Sequence, residues 1–214
     1  MALELFGHPF SSYTWKALIA FYETDTVFEF RMLGPEYPEN FAALKAAWAM
    51  GKFPVLLDDG EPIIEASIIV EHIAPALIPD GRGAARTVRM FDRIFDNHVM
   101  ANVQAIVSEH LPHLTDEADP RRIDRARTAL DLVYPWLNAH LAGQTWAAGE
   151  AFTLADCAAA PSLFYANWVH PIPEELTELK AYRARLLARP SVARCVDEAR
   201  PYRHLFPLAV PDQD

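Results

Sequence analysis

Cysteine is nearly absent: Cys157 and Cys195 are the only two in 214 residues. Two thiols are too few for a disulfide framework or a four-ligand metal site, so no metal is expected and a reducing, cytoplasmic setting is. Basic residues are also scarce, with 19 Lys and Arg against 29 Asp and Glu and a formal charge of -10. Binding to a phosphate backbone needs clustered cations, and no basic stripe occurs, so nucleic acid is not an expected partner. Long apolar runs are missing as well. Residues 63–78 are interrupted by Glu65, Glu71 and His72. The run after Asp156 falls short of the ~20 residues that span a bilayer, so no membrane partner is expected. The first ten residues lack the basic-then-apolar pattern of a signal peptide.

What is present is the balance of a globular protein, with 51% hydrophobic and 22% charged residues. The charge is uneven. Residues 1–80 hold 12 acids and 4 bases, whereas residues 81–214 hold 17 and 15. The shift falls beside the clearest break in the chain, Pro79-Asp80-Gly81-Arg82-Gly83, and suggests two domains, 1–78 and 84–214.

The first segment alternates strand and helix patterns. Residues 3–6 read as a strand that stops at Gly7-His8-Pro9, and Ser11 or Ser12 can cap a helix to about residue 23. A strand at 27–33, a short helix at 38–50, a strand at 55–57, an Asp59-Gly60 turn, a strand at 63–64 and a helix at 66–77 follow. The order β-α-β-α-β-β-α predicts a small open sheet flanked by helices. The second segment reads as helical throughout. One long helix is expected over 84–111, a second over 120–141 with Pro135 as a kink, and an all-round apolar one over 153–169. Shorter helices at 174–188 and 191–199 precede a tail at 201–214.

Three motifs can carry chemistry, and a fourth is structural. Gly7 to Lys16 places Ser11, Ser12 and Tyr13 between the first strand and the first helix. Ligands favour the carboxyl ends of strands, and a helix N-terminus stabilises an anion. A hydroxyl there can donate to a thiolate; the ordinary alternative is a simple N-cap. Lys52-Phe53-Pro54-Val55 puts a proline at the start of a strand. A cis bond would present the Phe53 backbone to a peptide-like ligand; a trans proline would be structural. Glu65-Ala66-Ser67 ends a strand and opens a helix. The Glu65 carboxylate suits a ligand ammonium and the Ala66 and Ser67 N–H groups a ligand carboxylate, unless Glu65 or Ser67 is merely a cap. Residues 153–156 are a capping box, a structural device.

Together these motifs, in this order and spacing, resemble the cytosolic glutathione S-transferases over essentially the whole chain. The resemblance implies a thioredoxin-like α/β N-terminal domain and an all-α C-terminal domain that contributes the second-substrate cleft. It implies glutathione as co-substrate, a small electrophile as second substrate, transferase activity in detoxification, and a homodimer. By position, Phe53 would bond the cysteinyl backbone, Lys52 would reach the glycyl carboxylate, and Glu65 would hold the γ-glutamyl group. Ala66 stands where the family usually has Ser, leaving its backbone N–H and, in part, the Ser67 hydroxyl. The run Ser11-Ser12-Tyr13-Thr14-Trp15-Lys16 is similar to the zeta-class Ser-Ser-Cys-x-Trp-Arg motif, which implies Ser11 as the thiolate-stabilising hydroxyl, with Ser12 and then Tyr13 behind it. That class includes maleylacetoacetate isomerases, so a glutathione-dependent cis–trans isomerase is one alternative; Ala66 keeps a non-catalytic binding member as another. His98 with Asn102, and Tyr165 with Trp168, are weaker candidates for the second-substrate cleft. Cys157 lies in an apolar helix without a basic neighbour and reads as structural.

Overall fold

The computed structural model describes residues 2–210. Its first part follows the expected order: β1 (Leu3–Gly7), α1 (Ser12–Glu23), β2 (Glu29–Met32), α2 (Pro38–Ala47), β3 (Val55–Asp58), β4 (Glu61–Ile64) and α3 (Ala66–Ile73). The strands form one sheet in the order β2-β1-β3-β4. β1 runs parallel to β2 and antiparallel to β3, and β4 returns antiparallel on β3. Successive strand residues point to opposite faces. Leu5 and Leu56 accordingly join a core with Ile69 and Val70 of α3 and most of α1, while Phe6 and Val55 pack with Leu33 and Leu44 on the α2 side. Asp59 and Gly60, both at positive φ, make the β3–β4 turn, which demands left-handed residues.

The loop between β1 and α1 is held tightly. Ser11 caps α1 by accepting the Thr14 N–H at 3.3 Å. The Trp15 indole N–H donates to the Pro9 carbonyl. A Cβ on Gly7 would come within 2.6 Å of the Thr14 side chain, so glycine alone fits this approach. The Phe53–Pro54 peptide, left open by the sequence, is cis.

The second part is helical: α4 (Arg82–Ile94), α5 (Ala101–Ser108), α6 (Pro120–Leu141), α7 (Leu154–Val169), α8 (Thr177–Ala188) and α9 (Pro190–Ala199). The single helix expected over 84–111 is instead α4 and α5 joined by a π-helical stretch, Phe95–Met100, in which the Ala101 N–H reaches back five residues to Asp96. The helix expected over 66–77 stops at Ile73 and resumes as a 3-10 turn at Pro75–Leu77, because proline cannot continue the α ladder. Pro135 and Pro161 lie inside α6 and α7 without ending them. The expected tail is a 3-10 segment, Arg200–Leu205, followed by Phe206 packed on Tyr165 and Trp168. Residues 211–214 of that tail lie outside the described residues.

α7 is the centre of the molecule, and every residue from Leu154 to Val169 except Asn167 is buried. Asp156 makes its burial possible. Its carboxylate accepts from Thr153 N–H and hydroxyl, Ala147 N–H and the Tyr182 hydroxyl, so no lone charge is left in the core.

An ion pair ties the two parts together. Arg189 pairs bidentately with Glu23 at 2.7 and 2.6 Å, and Ser191 donates to the same carboxylate. Burial would raise the Glu23 carboxyl, but the Arg189 and Ser191 hydrogen bonds overcome it and hold it below its ordinary value. A lowered folded-state pKa contributes stability above the unfolded value, lost as pH falls through the folded one. Glu23→Gln should therefore destabilise the protein by about 1–2 kcal/mol at neutral pH. In urea unfolding at stepped pH the gap should close below the carboxylate range; a gap independent of pH would disprove this.

Candidate active site

Two clefts adjoin at Phe53, which lines both. The first, of about 240 Å³, is polar and lies between the strand ends and α4. Tyr13, Trp48, Lys52, Pro54, Glu65 and Ala66 come from the first part, and Arg93, Asp96 and Asn97 from the second. The second cleft, of about 330 Å³, is apolar. Phe10, Met100, Val103, Val107, Tyr165 and Phe206 make much of its wall, with Ser11 and Ser12 at the strand-to-helix turn. Among the described residues no charged side chain lines it.

The predicted residues divide between these clefts. Ser11 faces the apolar cleft, and because its oxygen accepts the cap bond, its O–H stays available to donate. Ser12 is buried beside it, 3.5 Å from the Gln104 amide. Tyr13 turns to the polar cleft, and its phenol pKa is pushed up to about 12, first by burial and then by Asp96. It stays protonated at neutral pH and can donate but not serve as a base. Lys52 is exposed on the rim. Among the described residues, neither the N–H nor the carbonyl of Phe53 has a backbone partner.

Glu65 does not cap α3 with its side chain. It sits at φ 76°, a region that non-glycine residues rarely occupy. Among the described residues its carboxylate makes no hydrogen bond or ion pair, though Arg93 lies close enough to feel its charge. Ala66 and Ser67 supply the first N–H groups of α3, which no carbonyl within the helix can reach.

The Ser67 side chain, unlike its N–H, is engaged elsewhere. Its hydroxyl is not part of the cleft wall. It accepts from Lys16 at 2.9 Å and from Arg93, and donates to Asp92 at 3.0 Å. One donor and two lone pairs are all a hydroxyl has, so none is left for a ligand. Lys16 is 1% exposed and also pairs with Asp92 at 2.5 Å and Asp96 at 2.7 Å. Arg93 closes the cluster on Asp92 and Asp96. Two cations thus balance two carboxylates at the junction of α1, α3 and α4.

The weaker candidates also sort. Tyr165 lines the apolar cleft and donates to the Phe10 carbonyl at 2.9 Å; Trp168 stands behind it against Phe206. His98 and Asn102 do not reach the cleft. They border a separate surface groove with Leu132 and Trp136, whereas Met100, Val103 and Gln104 line the cleft. Cys157 is fully buried and its thiol pKa is raised by that burial, which makes it a poor nucleophile. Among the described residues no three His, Cys, Asp or Glu side chains converge as a metal site, and no helix is long and apolar enough to cross a membrane.

Family models describe the same two parts. The glutathione S-transferase N-terminal domain matches residues 1–75, and the glutathione S-transferase C-terminal domain matches residues 94–190. The chain belongs to the glutathione S-transferase family. Among relatives, it is 26% identical over 209 residues to glutathione S-transferase 3 of Zea mays, covering 91% of this chain and 93% of that one. It is 28% identical over 169 residues to FtsZ-localized protein A of Caulobacter vibrioides, covering 72% and 73%. A glutathione S-transferase of Methylobacillus flagellatus kt, solved with glutathione bound, shares the fold with a TM-score of 0.79 at 23% identity, covering 91% of this chain and 98% of that one. Within this family member, sequence reasoning missed Arg93, Asp96 and Asn97. The signal was present: Asp92-Arg93 and Asp96 interrupt an otherwise apolar helix stripe at Phe91 and Phe95.

Proposed function

We propose that the polar cleft binds glutathione and that its thiolate is transferred to a small electrophile held in the apolar cleft. The observation that carries this reading is the shared wall at Phe53. A polar cleft with a carboxylate, a lysine and helix N–H groups opens beside an apolar one, and Ser11 lines the apolar one. In this reading Phe53 pairs its backbone with the cysteinyl unit, Lys52 takes the glycyl carboxylate, and Glu65 takes the γ-glutamyl ammonium. Ser11 and the α1 N-terminus stabilise the thiolate, with Ser12 behind and Tyr13 as a second donor. The uncharged wall of the apolar cleft suits a neutral electrophile, because an ionised substrate would lose its hydration without a partner. We assign residues 1–78 to glutathione and 84–214 to the second substrate, and place the protein in the cytoplasm as a homodimer.

Titration calorimetry tests the binding step. Glutathione is expected to bind and to raise the melting temperature with concentration, as any ligand selective for the folded state does. Absence of both effects would refute the assignment. Ala66 favours a second reading, a member that binds glutathione without turnover; binding with no conjugation of any of a panel of neutral aromatic electrophiles would select it.

A further inference from the structure

The polar cleft has an unfilled requirement. Glutathione ends in an α-amino acid group that carries both an ammonium and a carboxylate. Glu65 suits the first. For the second, Ala66 has no hydroxyl, and the Ser67 hydroxyl is fully committed to Lys16, Arg93 and Asp92. Two backbone N–H groups alone are left on α3. Besides Lys52 at the far end, the other cation lining this cleft is Arg93, on a helix of the opposite domain.

Arg93 is also held for the task. Its Nε and Nη2 donate to Asp92 at 3.0 and 2.5 Å, and Nη2 reaches Asp96 at 3.2 Å. Among the described residues its Nη1 has no protein partner, and the side chain is half exposed. Nε and Nη2 are therefore committed, Nη2 to Ser67 as well, and the Nη1 N–H groups alone are free; Arg93 lines the cleft that Glu65 and Ala66 share. A guanidinium nitrogen with free N–H groups is suited to a carboxylate oxygen, and anchoring spares it the entropy of being ordered on binding.

Resting on the glutathione reading above, we infer that Arg93 binds the α-carboxylate of the γ-glutamyl group, replacing from the C-terminal domain the hydroxyl that position 66 lacks. Glu65 and Arg93 then form a complementary pair that recognises a free α-amino acid terminus across the domain junction. Asp92 and Asp96 are positioning residues for Arg93.

The test is a cycle of variants and ligands measured by calorimetry. The ligands are glutathione, 4-aminobutanoyl-Cys-Gly, which lacks the α-carboxylate, and glutaryl-Cys-Gly, which keeps it and lacks the ammonium. Arg93→Met should weaken glutathione and the glutaryl compound on the order of 10- to 100-fold, the range of a charge-assisted hydrogen bond. It should leave 4-aminobutanoyl-Cys-Gly within about twofold of its affinity for the parent protein, since no carboxylate remains to be lost. Arg93→Lys keeps the buried carboxylates neutralised and serves if Arg93→Met does not fold. Its single ammonium is drawn to Asp92 and Asp96, so the same ligand pattern is expected with a loss of roughly tenfold. Unchanged glutathione affinity in a folded variant overturns the inference while the functional reading stands. Equal losses for all three ligands also overturn it, as they would show a structural role. A parent protein that binds no glutathione overturns both.

Discussion

Alanine at position 11 is expected to lower kcat/KM for conjugation of glutathione to a neutral aromatic electrophile by about 10²-fold, the usual loss when one donor to a developing or resident anion is removed. The Ser11 oxygen accepts the Thr14 N–H while its O–H remains free, so one side chain both caps α1 and donates into the cleft. The two roles can be separated. Losing the cap should cost about 1 kcal/mol of stability, and Ser11→Asp should restore that cap without restoring activity. Serine acts here on the thiol pKa, which is ~8.5 for an unperturbed thiol. The deficit of Ser11→Ala should therefore shrink as pH rises toward 9, where the thiolate forms unaided. Equal turnover by parent and Ser11→Ala at neutral pH would sink the assignment. If Tyr13→Phe alone abolished activity, the donor would be the phenol, which stays protonated across this range.

Local chemistry made the first domain legible. Gly7-His8-Pro9, the Ser11 cap and Asp59-Gly60 are short-range punctuation, and each ends or turns an element where the sequence says it should. Lys52, Phe53 and Glu65 lie in the short connections before β3 and after β4 and share one cleft. The rest was hidden by longer-range geometry. Apolar spacing along 84–111 shows a continuous stripe, yet the spacings of four at Phe91, Phe95, Val99 and Val103 accommodate a wider π turn. On this run His98 and Asn102 border a separate groove, whereas Gln104 lines the cleft. Ser67 misled for a related reason. A hydroxyl at a helix start reads as a ligand donor, and only the packing of α3 on α4 shows that Asp92 and Lys16 use it first.

Lys16 carries the largest expected effect on stability. From sequence it is the cation that replaces the arginine of the Ser-Ser-x-x-Trp motif. In the fold it is sealed at 1% exposure between Asp92, Asp96 and Ser67, where α1 and α3 meet α4. Removing one partner of such a group strands buried charge, at a cost of about 3–5 kcal/mol. Lys16→Met leaves two carboxylates facing Arg93 alone, so chemical denaturation should show a loss of that size, a large part of the ~5–15 kcal/mol typical of a folded protein. The charge balance supplies the control. Lys16→Met with Asp92→Leu leaves Arg93 opposite Asp96, one cation and one anion, and should recover most of the loss because apolar replacement of a whole buried pair is often neutral. A double variant no more stable than the single would mean that packing of the Lys16 stem, not charge, sets the cost. If the balance governs, the same four charges that join the two domains also fix Arg93 at the cleft, and stability and ligand recognition rest on one cluster.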